Sequence, residues 1–284
     1  MEKRLFISII ACVCFADDCK TQPLLDIVNI RYQVSPDAGA FRQNLIRNHI
    51  RYWNVSTNLP IEFKNKKSIL LASPGYEEWK CSFPKKDATD ALVKGWTLPL
   101  FWIQTLTPNW IITTGVVIRN NAEAFDLNKA WQVGGVVLVT YEKSKQLKYK
   151  FGVYYNSELS GPFYMPLLGI DWRFNKTNIY GVLPGNLTIE RKLNTVFYYG
   201  ITFRAITNSY QQYNNKFIRI DDNQLTLFMD CYLSKHIVLN VEAGHSVFRR
   251  IRLGDNQKNP FYYFTASTND NWLLKTGLAY RLRL

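Results

Sequence analysis

Charged side chains recur at every second position in several segments of this chain, in alternation with apolar ones. From Leu147 onward, apolar and aromatic side chains occupy the odd positions, while Lys148 and Lys150 occupy even ones. Side chains of a β-strand point alternately to its two faces, so each such segment has an apolar face and a charged face. The residues that this alternation places on the charged face are Lys148, Lys150, Asp171, Arg173, Glu190, Arg204, Asp230, Glu242, Lys275, Arg281 and Arg283. If that face lines a lumen, these charges either select solutes or pair in a salt-bridge network that plugs it.

Three arginines, Arg249, Arg250 and Arg252, lie close together near the outer end of a predicted strand. Guanidinium groups form charge-assisted hydrogen bonds to phosphate, so this cluster is a candidate contact for the phosphates of lipopolysaccharide. The alternative is that the three side chains are solvated charges at the rim of the fold.

Hydrolytic chemistry has one weak candidate, the adjacent pair His245 and Ser246. Nucleophilic catalysis needs a base and a nucleophile that converge in space, whereas neighbours in a strand point to opposite faces. The other histidines, His49 and His236, lie at a predicted strand start and in a turn. We therefore expect no catalytic residues, no metal site and no cofactor.

The alternating segments divide the chain into about fourteen predicted strands, separated by polar turns and loops. Their ranges are 26–35, 47–63, 68–82, 93–105, 110–119, 131–141, 147–156, 164–174, 178–183, 187–191, 195–206, 217–233, 236–250 and 272–284. Single-chain bacterial barrels have an even number of strands. The pair 178–183 and 187–191 is short, so twelve strands are the alternative. Residues 253–271 are predicted to form a long loop.

Aromatic side chains gather near the predicted strand ends on the apolar face, as in the interfacial girdle of a membrane barrel. They are Trp110, Trp131, Trp172, Phe174, Trp272 and Tyr280. The strands of a soluble β-sandwich also alternate apolar and polar side chains. A sandwich, however, does not require an aromatic girdle or charges of both signs at mid-strand. The pattern therefore favours an all-β fold, a single closed antiparallel transmembrane β-barrel over residues 26–284.

The N-terminus has the layout of a secretory signal peptide. A charged start precedes an apolar run from Leu5 to Phe15, which is shorter than a membrane-spanning helix requires. We predict a signal peptide at residues 1–16, cleaved near Ala16, and a periplasmic linker at residues 17–25. Lipidation at Cys12 is the alternative.

The 284 residues carry a formal net charge of +13. The basic residues are scattered over strands and turns without a recognisable nucleic-acid motif, so an anionic membrane surface is a more natural partner than nucleic acid. Outside the leader region, Cys81 and Cys231 are far apart and have no metal-ligand spacing.

Several motifs along the chain go beyond simple alternation. They are Asp26-Ile27-Val28, Ser35-Pro36-Asp37-Ala38, Pro166-Leu167-Leu168-Gly169-Ile170-Asp171-Trp172, Leu183-Pro184, Glu242-Ala243-Gly244 and the ending Gly277-Leu278-Ala279-Tyr280-Arg281. In these motifs the chain resembles an uncharacterised bacterial outer-membrane β-barrel family, a domain of unknown function, over nearly all of its mature length. The resemblance implies a barrel in the bacterial outer membrane, with no known activity and no catalytic residues.

The predicted function is a narrow pore or small-solute transporter of unknown specificity. The alternative is a structural or interaction protein of the cell envelope with a plugged lumen, and an outer-membrane hydrolase comes third. The implied partners are outer-membrane lipid, lipopolysaccharide and, during assembly, the barrel-insertion machinery. The oligomeric state is left open by the sequence.

Overall fold

A computed structural model describes residues 24–35, 49–65, 67–82, 90–124, 130–255, 261–267 and 271–283 of the chain. Within these ranges the chain forms seventeen strand segments. Their bounds are β1 (Leu24–Ser35), β2 (His49–Thr57), β3 (Leu59–Glu62), β4 (Ser68–Ala72), β5 (Gly75–Ser82), β6 (Ala91–Thr107), β7 (Trp110–Ala122), β8 (Trp131–Ser144), β9 (Leu147–Glu158), β10 (Gly161–Phe174), β11 (Thr177–Leu183), β12 (Asn186–Lys192), β13 (Phe197–Gln211), β14 (Lys216–Tyr232), β15 (Ile237–Asp255), β16 (Phe261–Ser267) and β17 (Trp272–Arg283). The predicted signal peptide and most of the predicted linker lie outside the described residues.

Three pairs of segments continue one another, so the seventeen described segments make fourteen strands of one wall. β2 and β3 are separated only by Asn58, β4 and β5 only by Ser73 and Pro74, and β16 and β17 both pair antiparallel with β15. β1 pairs with β2 on one side and with β17 on the other, which closes the wall. The predicted closed antiparallel barrel of fourteen strands is confirmed. The twelve-strand alternative is wrong, because β11 and β12 pair as separate strands of the wall.

Several strands extend beyond their predicted bounds; β10 begins at Gly161 and β13 ends at Gln211, for example. β1 begins at Leu24, slightly before the predicted start, and the predicted loop over residues 253–271 contains the end of β15 and all of β16. The ladder between Arg250–Asp255 and β16 continues the wall on the β17 side of β15. The described residues contain no helix that is long and apolar enough to cross a membrane.

The alternation predicted from the sequence separates the outer surface of the barrel from its interior. In β17, Trp272, Leu274 and Leu278 are 69%, 53% and 47% exposed, whereas the intervening Lys275 and the later Arg281 are buried. A barrel with this arrangement presents an apolar outer surface and encloses its charged side chains.

The two ends of the barrel differ in their connections. At one end, which we call the turn end, tight turns join β6 to β7 and β8 to β9. The opposite end, which we call the loop end, includes longer connections, such as residues 36–48 between β1 and β2, as well as the two-residue connection 159–160 between β9 and β10.

The hairpin of β11 and β12 is short, with seven residues in each strand. β10 pairs with β11 only from Leu168 onward, and β13 pairs with β12 only up to Arg204. Within the described ranges, the loop-end half of β13 therefore has no ladder to β12. It reaches the opposite wall instead, where Gln211 pairs in parallel with Ala122 of β7. The barrel is therefore narrowed at its loop end.

Candidate functional site in the barrel interior

Apolar side chains fill the barrel interior at the loop end. We call this set the loop-end cluster; its buried members are Ile50, Trp79, Cys81, Ala91, Val93, Tyr210, Ile218, Ile220 and Ile251. Strands β2, β5 and β6 supply one side of the cluster, and β13, β14 and β15 supply the other. The two walls therefore meet through packed side chains, which obstruct the described part of the lumen at this end.

Beside the loop-end cluster, Ser209 of β13 is hydrogen-bonded to three strands of the opposite wall. Its carbonyl oxygen accepts bonds from Asn121 Nδ2 at 3.2 Å and from Gln132 Nε2 at 2.8 Å. Its hydroxyl donates to Glu158 Oε2, and its amide donates to the same oxygen at 3.1 Å. All four residues are buried. We call them the loop-end clasp, because they hold β13 against β7, β8 and β9.

Arg281 is the centre of one ion-pair network inside the barrel. Its Nε lies 2.5 Å from Asp26 Oδ1, its Nη2 lies 3.1 Å from Asp26 Oδ2, and its Nη1 donates to Asp230. Asp230 also accepts a bond from Asn240 Nδ2 at 2.7 Å. The network joins β1, β14, β15 and β17 across the interior.

Glu242 is the centre of a second network and is 1% exposed. Arg204 Nη1 lies 3.0 Å from both of its carboxylate oxygens, and Lys275 Nζ lies 3.4 Å from Oε2. Thr226 Oγ1 donates to Oε2 at 2.9 Å. A buried carboxylate with this many donors is stabilised in its charged form.

A third group of predicted lumen charges lies nearer the turn end. Arg283 donates to both oxygens of Glu190 at 2.9 Å, and its guanidinium lies 3.5 Å from the ring centroid of Tyr198. Lys150 Nζ lies 2.8 Å from Asp171 Oδ2.

Lys148 and Arg173 complete the predicted set. Lys148 Nζ lies 2.8 Å from Glu142 Oε2, and Arg173 is half-buried in β10. The structure thus brings most of the predicted lumen charges together with groups of opposite sign, an arrangement closer to a salt-bridge network than to a ring of like charges.

The Lys150–Asp171 pair allows a test of this network. In a Lys150→Met variant, Asp171 keeps a buried carboxylate without its nearest cation, and we expect the free energy of unfolding to fall by about 3 kcal/mol. The double variant Lys150→Met with Asp171→Leu removes both charges and should recover most of that loss. Urea unfolding in detergent micelles measures both. Equal losses in the single and double variants would contradict the pairing.

Arg249 does not lie at the rim of the barrel, so for this residue the predicted lipopolysaccharide contact is wrong. β15 contains an extra residue opposite Asp222, with Phe248 at a φ of 55°, and this bulge reverses which side chains point inward. Arg249 Nε and Nη2 lie 2.8 and 3.1 Å from the two oxygens of Asp222, and Nη1 donates to Ser35 Oγ at 2.8 Å. Buried in this way, Arg249 is out of reach of lipid.

Arg250 and Arg252 lie on the outer face of the same strand. Arg250 is exposed. Arg252 Nη2 lies 2.5 Å from Asp221 Oδ2, and its guanidinium lies 4.6 Å from the ring centroid of Tyr262. For these two residues a lipopolysaccharide contact stays a prediction.

His245 and Ser246 are directed to different sides of β15, as alternation predicts. The His245 ring lies 5.6 Å from the ring of Trp272, which is exposed on the outer surface, whereas Ser246 is fully buried.

Within the described part of the chain, no group of three His, Cys, Asp or Glu residues is placed to hold a metal ion.

On the turn-end side of the loop-end cluster, the barrel interior contains a partly open cavity of about 440 Å³. One side of its lining, which we call the apolar arc, comes from β4, β6 and β8 and consists of Ile69, Leu71, Phe101, Ile103, Val136 and Leu138. The facing side, the charged arc, comes from β1, β13, β14, β15 and β17 and includes Asp26, Arg31, Arg204, Asp230, Glu242 and Arg281. The volume is in the range of small-molecule sites.

The apolar arc and the loop-end cluster are the parts of the interior that the sequence analysis missed. A signal for the arc is present in β8, where the run from Val136 to Val139 makes both faces of the strand apolar. Such runs indicate a strand that is covered on both sides. A similar signal marks the cluster, because Ile218 and Ile220 occupy inward positions of β14 that carry polar residues further along the strand.

Comparison with known proteins places this fold in context. No curated protein matches the chain. Among solved structures, the chain is similar to an outer-membrane channel from Pseudomonas putida F1, at 10% identity and a TM-score of 0.48, covering 91% of this chain and 96% of that one. It is also similar to the translocator domain of an autotransporter from Neisseria meningitidis, at 9% identity and a TM-score of 0.41, covering 99% and 96%. A third similar structure is outer-membrane phospholipase A from Escherichia coli, at 11% identity and a TM-score of 0.39, covering 90% and 92%.

The family resemblance predicted from the sequence is confirmed by a family model. That model, described as a domain of unknown function (DUF6268), matches residues 75–281, which run from the first residue of β5 to near the end of β17. The match covers most of the chain and most of the barrel wall. The chain therefore belongs to the DUF6268 family.

Proposed function

We propose that this protein is an outer-membrane barrel that carries small solutes through an occluded lumen. The observation that best supports this function is the cavity of about 440 Å³, which lies on the turn-end side of the loop-end cluster and the loop-end clasp. A permanently open pore has a continuous aqueous path through its lumen. In this barrel the packed side chains of the loop-end cluster interrupt such a path. A carrier needs a binding site of this size inside the lumen and a closure that opens.

The proposed location is the bacterial outer membrane, reached by means of the predicted signal peptide at residues 1–16. The apolar outer surface of β17 and its neighbours supports contact with lipid. Lipopolysaccharide is a proposed partner through Arg250 and Arg252, and the barrel-insertion machinery is a proposed partner during assembly. Extraction that requires detergent, and a gel mobility that shifts on heating, test the location in a membrane. A protein that is soluble without detergent would contradict it.

A second candidate function is a structural protein of the cell envelope with a permanently plugged lumen. The observation that favours it is the ion-pair network, since Arg281 and Glu242 each join several strands across the interior. In this case the loop-end clasp never opens. We propose no catalytic role, because His245 and Ser246 are directed to different sides of their strand.

Weakening the loop-end clasp separates the two candidates. We expect the double variant Gln132→Ala with Glu158→Ala to raise the probability of the open state at least about tenfold, because each hydrogen bond lost to Ser209 contributes about 1 kcal/mol to closure. Single-channel recording in planar bilayers measures this probability, with rare openings expected for the natural protein.

The matched control is Glu142→Ala. It removes a carboxylate from the same β8–β9 hairpin, but at the turn end and beside Lys148. It should leave the opening probability unchanged. Continued electrical silence of the natural protein and of the clasp variant, with both correctly folded, would overturn the transport function in favour of the plugged barrel.

A further inference from the structure

The two arcs of the cavity differ in chemistry, and this difference points to a class of ligand. We propose that the cavity binds a small anionic amphiphile, an organic acid with an aromatic or short aliphatic body. The body lies on the apolar arc and the acid group lies at Arg31. The proposal names the class of solute for the proposed transport function and therefore rests on that function. Binding can nevertheless be measured without transport.

The apolar arc comes from β4, β6 and β8, and the intervening strand β7 adds Thr113 to the lining. Leu71 of β4 pairs with Phe101 of β6, and Phe101 in turn pairs with Gly115 of β7. Gly115 has no side chain, and the Phe101 ring occupies the space: a Cβ at this position would lie 2.4 Å from Phe101 Cδ1. Gly115 also pairs with Val136 of β8. The Phe101 ring therefore closes the gap between β6 and β8, and an apolar body can lie across the whole arc.

Hydroxyl-rich solutes such as sugars do not fit this arc. A polar group that leaves water needs a hydrogen-bond partner in the protein, and burial without one costs free energy. The six side chains of the arc are hydrocarbon and offer neither donors nor acceptors, and Thr113 and Thr140 beside them supply only two hydroxyl groups. The arc therefore selects for an apolar body.

Arg31 is the least satisfied cation of the charged arc. Its Nη2 lies 3.8 Å from Asp26 Oδ2, and both oxygens of Asp26 already accept bonds from Arg281. Among the described residues, the buried Nε of Arg31 has no hydrogen-bond partner. A guanidinium has five N–H donors in a planar fork that fits a carboxylate. Arg31 can therefore bind an acid without giving up an existing close ion pair.

The charged arc itself is balanced, because Arg31, Arg204 and Arg281 face the three carboxylates of Asp26, Asp230 and Glu242, and Lys150 is paired with Asp171. The preference for an anion therefore rests on Arg31, whose ion pair with Asp26 is long, at 3.8 Å. The acid group and the apolar body are thus selected by opposite sides of one cavity.

The test uses the full barrel in phosphatidylcholine nanodiscs and isothermal titration calorimetry, with empty nanodiscs as the blank. The probes are 4-phenylbutanoate, its neutral amide 4-phenylbutanamide, and acetate. We expect the natural protein to bind 4-phenylbutanoate at least about tenfold more tightly than the amide, as a charge-assisted bond to Arg31 implies. Acetate, which lacks the apolar body, should not bind measurably. Equal affinity for the acid and the amide would overturn the proposal on the natural protein alone.

Two variants then assign the two ends of the ligand. Arg31→Gln should weaken binding of the acid about tenfold and leave binding of the amide unchanged, whereas Leu138→Gln should weaken both. Arg250→Gln, which removes an exposed arginine on the outer face, is the matched control and should change neither. Undiminished binding of the acid by folded Arg31→Gln would overturn the assignment of Arg31.

Failure of this proposal is distinguishable from failure of the transport function. A protein that opens in bilayers but does not bind the acid contradicts only the ligand class. A protein that binds the acid but stays silent when the loop-end clasp is weakened contradicts only transport.

Discussion

Replacing Arg249 by alanine is expected to lower the free energy of unfolding by about 3–5 kcal/mol. The side chains of Arg249 and Asp222 are both 0% exposed, and the guanidinium donates to both carboxylate oxygens. Without Arg249, Asp222 becomes a buried carboxylate that has lost its bidentate partner, and Ser35 loses a hydrogen bond as well. The effect is large because the desolvation of the remaining charge is no longer compensated.

The adjacent arginine provides the control for this prediction. Arg250→Ala removes the same side chain from the next position of the strand, where it is exposed, and should change stability by about 0.5 kcal/mol or less. Urea unfolding in detergent micelles, followed by the loss of the fast-migrating folded band on unheated gels, measures both variants. If Arg250→Ala proves the more damaging of the two, the inward direction of Arg249 is refuted.

Replacing Trp79 by alanine is expected to cost about 3–5 kcal/mol and also to open the loop end. Trp79 is fully buried in the loop-end cluster, where its ring centroid lies 4.2 Å from that of Tyr52. The substitution leaves a cavity between β5 and the facing β13–β15 wall. Because this cluster obstructs the lumen, the loss of packing should appear both as a lower urea midpoint and as more frequent openings in planar bilayers.

Trp131→Ala is the matched control for Trp79→Ala. Trp131 is 64% exposed on the outer surface, so its removal leaves no interior cavity. We expect a much smaller loss of stability and an unchanged opening frequency. Similar effects of the two substitutions on openings would show that the loop-end cluster does not control the lumen.

Much of the wall is predictable from the sequence, because the period of two is a local property of each strand. The segment that begins at Leu147 and the segment that ends at Arg283 each show which side chains share a face without reference to any other part of the chain. Turn residues between such segments determine where the strands end. These local patterns are enough for the charged inner face and for a barrel of twelve or fourteen strands, and the pairing of β11 with β12 decides for fourteen.

The course of β15 beyond Ser246 is not predictable in the same way. One extra residue, accommodated by the positive φ of Phe248, moves Arg249 from the outer face to the interior. The sequence does not distinguish a bulged strand from a regular one here, because arginine is compatible with either face until its partner Asp222 is known. The extension into β16 was missed for a related reason, since its ladder depends on the partner strand.

The sequence by itself determined that this protein is a closed barrel of alternating strands with charge on the inside, because alternation and turns are encoded locally. Only the tertiary structure decided which charges pair, where the lumen is obstructed and where a cavity remains. Those features depend on contacts between residues far apart in the chain, such as Ser209 with Asn121 and Arg281 with Asp26. The obstruction of the lumen arises because the short β11–β12 hairpin lets β13 reach the opposite wall, and no local pattern in β13 encodes the length of its neighbours.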